Sequence, residues 1–419
     1  MDPASPVVLL LIGVGGAIVG SFVNLAIYSL GFFEARPISP WSPAPQGLSR
    51  TWLDRVPVVG WLFLRREGPR WGRGFWVRPL LIELSLAIGL AWLYHAEIKG
   101  DLLPAIPFFP IPFEVRLGQF VSHVLLIVPM TIATFIDFDE QTIPDTITIP
   151  GTLVGLLLMT LWPAAGALPQ IEVQGSLEPL WLTTFVAWWT PSLEAWPGLL
   201  LGLTCFAAWC YALVPKVVTL RRGWWKGWLY LHASTFRSPA WWRLGLLAAV
   251  GCLVIGGVWL SCNAVPGGAA WRALLTSLVG MTFGGALVWG VRIVGYLGLR
   301  KEAMGFGDVT LMAMIGAYLG WQSTIIVFFL APFAAVVIAL VQWLTTGRRD
   351  IAFGPYLCAG ALILILRWPY FWANWGFPVF SLGWFVPALI VCGFAVMLGL
   401  LMLIRLFEEA FFAAGASGR

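Results

Sequence analysis

The stretch AMGFGDVTLM, residues 303–312, sets one carboxylate, Asp308, behind two glycines at the start of an apolar segment. A second stretch, ATFIDFDEQTIPDTITIP (133–150), places Asp137, Asp139 and Asp145 between two long hydrophobic runs. An ionisable side chain at the centre of a bilayer costs about 2.5–3.5 kcal/mol or more, so it is a functional hypothesis by default. Near an interface the cost falls, and a single aspartate in a short loop is equally accounted for by solvation. Two carboxylates delivered to one pocket change the chemistry. Close together they cannot both ionise easily, so the pair shares a proton. The ionised member then draws a proton from water while the protonated one donates to a scissile carbonyl, which hydrolyses a peptide. Asp137 and Asp308 lie 171 positions apart (308 − 137), so only the fold can bring them together.

Gly305 and Gly307 lower helix propensity at this point. They also permit positive φ and close approach by another chain or a substrate backbone. Asp308 then falls in the first turn of a helix, where the helix dipole favours a carboxylate. A loop glycine pair followed by a helix cap reads the same residues without function. Asp139 supplies loop polarity, and Asp145, after Pro144, suits the start of the next helix.

The elements that must position these acids are membrane helices. The chain has 419 residues, 59% of them hydrophobic and 11% charged, with mean hydropathy +0.86. A soluble domain carries about a quarter charged residues, so the fold class is all-α, a polytopic membrane bundle. Runs of spanning length predict about eleven segments: 7–31, 79–95, 119–136, 147–163, 198–215, 244–262, 273–297, 308–320, 322–344, 354–366 and 382–404, with 308–320 and 322–344 as one kinked unit in the alternative. The opening MDPASP lacks Lys and Arg, and the run from Val7 to Phe33 reads as a retained first helix rather than a cleaved leader. With the N-terminus outside, 21 of the 25 basic residues fall on the cytoplasmic side, and Lys99, Arg116, Arg272 and Arg367 on the other. That asymmetry sets the orientation and puts Asp137 and Asp308 at the cytoplasmic face.

The six cysteines form no CxxC pair and read as packing residues, as do His95, His123 and His232. The 26 tryptophans cluster near segment ends as an interfacial belt. A surface helix at 217–243 could hold anionic lipid through Lys216, Arg221, Arg222, Lys226, Arg237 and Arg243. Nucleic acid is not an expected partner of so juxtamembrane a basic stretch.

The motifs carry a resemblance to the prepilin peptidase, or type IV leader peptidase, family. GAIVGSFVNLAIYSL (16–30) resembles its first-helix GSFxNxxIxR signature, with Ser29 where a basic residue is usual. DRVPVVGWLFLRREG (54–68) resembles its (N/R)IPxxSWLxLRG segment, and VRPLLIELSLAIG (77–89) its R-x4-E helix start, at Arg78 and Glu83. ATFIDFDEQTIPDTITIP is similar to the first-aspartate motif, led by Asp137. KEAMGFGDVTLMAMIGAYLGWQ (301–322) is similar to the GxGD motif, and FGPYLCAGA (353–361) to the closing PFGPxLxxG helix. The resemblance implies a membrane aspartic endopeptidase with Asp137 and Asp308 catalytic, supported by Gly305, Gly307, Asp139, Asp145, Arg78 and Glu83. It implies prepilin or pseudopilin precursors as substrates, the pilus or type II secretion machinery and membrane lipids as partners, and the bacterial cytoplasmic membrane as location. The alternatives are a GxGD intramembrane protease with other substrates, or a scaffold or transporter.

The resemblance spans roughly 10–165 and 273–366, an eight-helix family core whose catalytic helices are 119–165 and 273–366. Residues 166–270 read as inserted spans and 368–419 as a C-terminal extra span. Many family members bind zinc through two CxxC pairs in the first cytoplasmic loop; here that loop, 34–78, has eight arginines and no cysteine, so no zinc is expected there. Some members also N-methylate the product with S-adenosylmethionine, an activity associated with the same loop. Without the cysteines that cofactor is doubtful, and proteolysis needs none. Thr310 stands where the family commonly shows lysine.

Overall fold

The computed structural model describes residues 3–31, 39–41, 49–104, 111–166, 168–171, 177–184, 188–215, 225, 229, 233–234, 236–263, 268–300, 304–346, 352–383 and 385–416. The long helices are α1 (Pro6–Leu30), α2 (Val77–Lys99), α3 (Phe113–Glu140), α4 (Asp145–Leu161), α5 (Trp196–Leu213), α6 (Trp241–Asn263), α7 (Ala269–Leu299), α8 (Phe306–Thr346), α9 (Gly354–Leu366) and α10 (Phe385–Ala416). Among the described residues strand pairing is confined to one antiparallel ribbon, Pro169–Ile171 with Leu177–Pro179. The chain is thus an all-α multi-pass membrane protein.

Each of the eleven predicted segments falls on a helix, but among the described residues eight helices are long and apolar enough to cross a membrane, or nine with one bent pair. The shortfall has local causes. Helix α4 has only 17 residues, and α9 turns by 89° into Trp368–Phe380. The segments 308–320 and 322–344 are both in α8. A straight helix of its 41 residues would run about 60 Å, twice the hydrocarbon thickness. It is not straight. Gly320 has φ 80° and ψ 170°, a conformation essentially confined to glycine. A Cβ built on Gly316 would lie 3.1 Å from Thr324 Cγ2, whereas eight residues of continuous helix would hold those positions about 12 Å apart. The chain therefore reverses at Gly320 into two antiparallel arms.

The reversal explains a set of glycines on α7. Gly280 faces the carbonyl of Gly316, and a Cβ on Gly284 would lie 2.5 Å from the carbonyl oxygen of Met312. Backbones this close leave no room for side chains, the usual basis of helix contact inside a bilayer. Pro169, Trp181 and Leu182, from the stretch read as inserted, brace the reversal and the helix after it. Gln322 donates to the Trp181 carbonyl at 2.9 Å, the Trp321 indole to Leu182 O at 2.8 Å, and the Trp368 indole to Pro169 O at 2.6 Å. Helix α10 rests on α7 at Gly290 and Gly298, where Phe394 and Leu401 fill the space.

At the opposite end of the bundle, short helices between α1 and α2 form a cap over the chain. Arg50 and Glu67 are buried and pair twice, at 2.9 and 2.8 Å, and Arg66 reaches Asp54 at 2.6 Å. Burial alone would raise these two carboxyls. Hydrogen bonds from Arg66 and Thr51 nevertheless hold Asp54 below the usual carboxylate range, as those from Arg50 and Trp71 do for Glu67. The zinc site that the resemblance implies for other family members does not fit this cap: its sequence has no thiol, and guanidinium groups pair with both of its buried acids. Arg36, Lys216, Arg221, Arg222, Lys226, His232 and Lys301 lie outside the described residues, so most of the basic surface helix does as well.

Candidate active site

Asp137 stands in the last turn of α3 and is 5% exposed. Its Oδ2 accepts the backbone N–H of Gly354 at 3.0 Å. Gly354 opens α9, so the carboxylate meets an N–H group that the helix cannot satisfy itself, at the positive end of the dipole. A Cβ on Gly354 would stand 2.6 Å from that oxygen and 2.7 Å from Ile143 Cδ1. Only glycine admits this contact.

Asp308 lies in the first turn of α8, 7% exposed, and its Oδ2 accepts the N–H of Gly305 at 3.2 Å. Between the acids runs the turn 141–144, started by Gln141 at φ 54°. A Cβ on Gly307 would meet Ile143 of this turn at 2.8 Å. The second glycine of GFGD thus lets the two aspartate motifs pack together. Gly305 has only an ordinary contact, 3.6 Å to Asp308 Oδ2; sterics do not demand glycine there.

Asp137, Asp308 and Asp145 line one cavity of about 350 Å³, with the 141–144 turn and Gly305, Phe306 and Gly307 completing its wall. The two buried acids therefore face one shared space. Asp145 lines the mouth, exposed, in the first turn of α4. Thr310 neighbours it and is held by Thr148, which donates to its hydroxyl at 3.1 Å, while Thr310 donates to Gly307 O at 3.0 Å. A neutral hydroxyl therefore faces Asp145 where a lysine would bring a cation.

The remaining expected support residues do not line the cavity. Arg78 grips Asp139 with two contacts, 2.9 and 2.8 Å, reaches the Phe135 carbonyl at 3.3 Å, and stacks 4.9 Å from the Phe135 ring. The pair is half exposed, which limits its energy, but it braces the turn of α3 that carries Asp137. Glu83 is fully buried and binds the cap to the bundle. It accepts from Asn24 at 3.1 Å, the Trp61 indole at 2.9 Å and the Val58 N–H at 2.5 Å. Sequence reasoning gave Gly354 and Ile143 no role. The former was legible only as part of the FGPYLCAGA match, and nothing local marked Ile143 as the spacer between two distant aspartates.

Residues 198–340 match the profile of the type IV leader peptidase family. That stretch contains Asp308 but not Asp137, and it starts inside the segment read as inserted. Three curated relatives are prepilin leader peptidase/N-methyltransferases. The Myxococcus xanthus protein is 31% identical over 155 residues, 36% of this chain and 41% of that protein. The Pseudomonas aeruginosa protein is 32% identical over 117 residues, 27% and 40% of the two chains. The Escherichia coli protein is 38% identical over 77 residues, 18% and 32%. The chain thus spans about a third to two fifths of the length of these relatives. No solved structure matches it.

Proposed function

We propose that this relative of the type IV leader peptidases is a membrane aspartic endopeptidase that removes the basic leader of prepilins or pseudopilins. One observation carries the reading: Asp137 and Asp308, far apart in sequence, are both buried and line one cavity. Each keeps one oxygen tied to a backbone N–H, which fixes its direction and leaves the other for a water. A shared proton makes one acid a base toward that water and the other a donor to the scissile carbonyl. Basic residues concentrated in the connections at the end bearing the cavity support a cytoplasmic orientation for it. Gly307 and Gly354 serve the reaction by letting the acids seat, and Arg78 with Asp139 by bracing α3.

The test is co-expression with a prepilin from the same genome, followed by N-terminal sequencing of the product. The expected cut leaves the hydrophobic segment intact and removes the basic stretch before it. An unprocessed precursor, or a cut on the other side of the membrane, would overturn the reading. Gly354→Ala tests the geometry. Its methyl displaces Asp137 by the order of an ångström, a shift expected to slow cleavage about a hundredfold, with helix content by circular dichroism unchanged. Wild-type rates in that variant would mean the seat of Asp137 is irrelevant to turnover.

A further inference from the structure

A second cavity, about 660 Å³, lies outside the acid site between the outer face of α1 and the cap. Its floor is apolar: Ile18, Phe22 and Leu25, which α1 turns outward. Its roof is formed by Trp41, Trp52 and Arg55, with the Arg55 guanidinium 5.8 Å from the Trp41 ring centre. Trp41 and Trp52 are 55% and 73% exposed, far more than two large rings would remain without a partner phase. Arg55 is exposed and forms no ion pair among the described residues. The neighbouring acids of the cap, Asp54 and Glu67, are buried and matched to Arg66 and Arg50. What the cap presents outward at this slot is therefore positive charge and two exposed indole rings over a hydrocarbon floor.

We propose that this slot binds one anionic phospholipid. Its phosphate would sit against Arg55 and the indole rings, and an acyl chain would lie along Ile18, Phe22 and Leu25. The layout favours that occupant over a peptide. A guanidinium at one end and an apolar trough at the other match an amphiphile with a single charged head. A basic leader would be repelled by Arg55, and an uncharged helix would leave it unmatched. Tryptophan at the headgroup level is also its preferred depth. The site is separate from the aspartates, so it stands whether or not they hydrolyse a peptide.

Native mass spectrometry of the full chain, stripped in detergent and reloaded with phosphatidylglycerol or phosphatidylcholine of identical acyl chains, tests the proposal. The wild type is expected to hold phosphatidylglycerol about tenfold more tightly, the value of one charge-assisted contact. Arg55→Gln is expected to erase that preference, and Arg55→Lys to keep most of it, which separates lost charge from a disturbed fold. Equal retention of the two lipids by the wild type, or an undiminished preference in Arg55→Gln, overturns the site. A photo-crosslinker in place of Trp52 that captures co-expressed prepilin in preference to lipid overturns it as well, in favour of a peptide groove.

Discussion

Asp137→Asn and Asp308→Asn are each expected to slow prepilin cleavage by about two to four orders of magnitude, the range for losing a positioned acid or base. The substitution is sparing. An asparagine oxygen at 137 can still accept the Gly354 N–H, and one at 308 that of Gly305, so the local hydrogen bonds that seat the side chains survive. What the proposed mechanism loses is the proton shared by the pair. Under the proposed shared-proton mechanism the double variant is expected to be no slower than the worse single one, as with other catalytic groups that work together. Quantifying precursor and mature pilin on immunoblots of membranes carrying each variant gives the comparison. Multiplied losses in the double variant would show two independent roles and end the shared-proton account. Normal processing in both single variants would remove the acids from the chemistry altogether.

Glu83→Ala is expected to release the cap. The fully buried carboxylate collects donors from α1, through Asn24, and from the cap, through the Trp61 indole and the Val58 N–H. Removing it strands these groups, and each buried unpaired donor costs about 1–3 kcal/mol. Val58 gives the effect direction. It sits at φ 65°, a conformation costly for a β-branched residue, and the hydrogen bond to Glu83 is what holds it there. Loss of the bond is expected to let the 56–61 turn relax and the cap swing away from α2. Limited trypsin digestion of purified protein reports this directly, since the cap carries six arginines between residues 49 and 76. Faster cleavage in the cap with an intact bundle fragment is the expected pattern. A digestion course matching wild type would mean the cap is held by its internal ion pairs alone.

Those ion pairs bear on how the cap of this chain keeps one arrangement. A buried guanidinium–carboxylate pair is a weak source of net stability, but breaking one member is costly because a charge is left without a partner. Arg50 with Glu67 and Arg66 with Asp54 thus specify one arrangement of the cap more than they stabilise it. Glu83 then fixes that arrangement on the bundle, and Arg78, at the start of the same helix, extends the connection to Asp139, two residues beyond Asp137.

The fold class, the positions of the apolar segments and the two aspartate motifs were readable from the chain alone. Most hydropathy runs are of spanning length, and bilayer thickness converts such runs into helices almost independently of the rest of the chain. The GFGD glycines were likewise visible because they interrupt helix propensity at an otherwise apolar boundary. Tertiary structure decided what those residues touch. Asp139 and Asp145, six positions apart, looked alike in sequence; one is drawn off by Arg78 and the other opens on the cavity. Gly320 passed for an ordinary break between spans, yet its positive φ reverses α8 and returns the chain so that Gly354 can reach Asp137. Gly307 answers to Ile143 from a motif more than 160 positions earlier. Partners of this kind are set by close backbone approach between distant segments, where no side-chain period or local propensity leaves a mark.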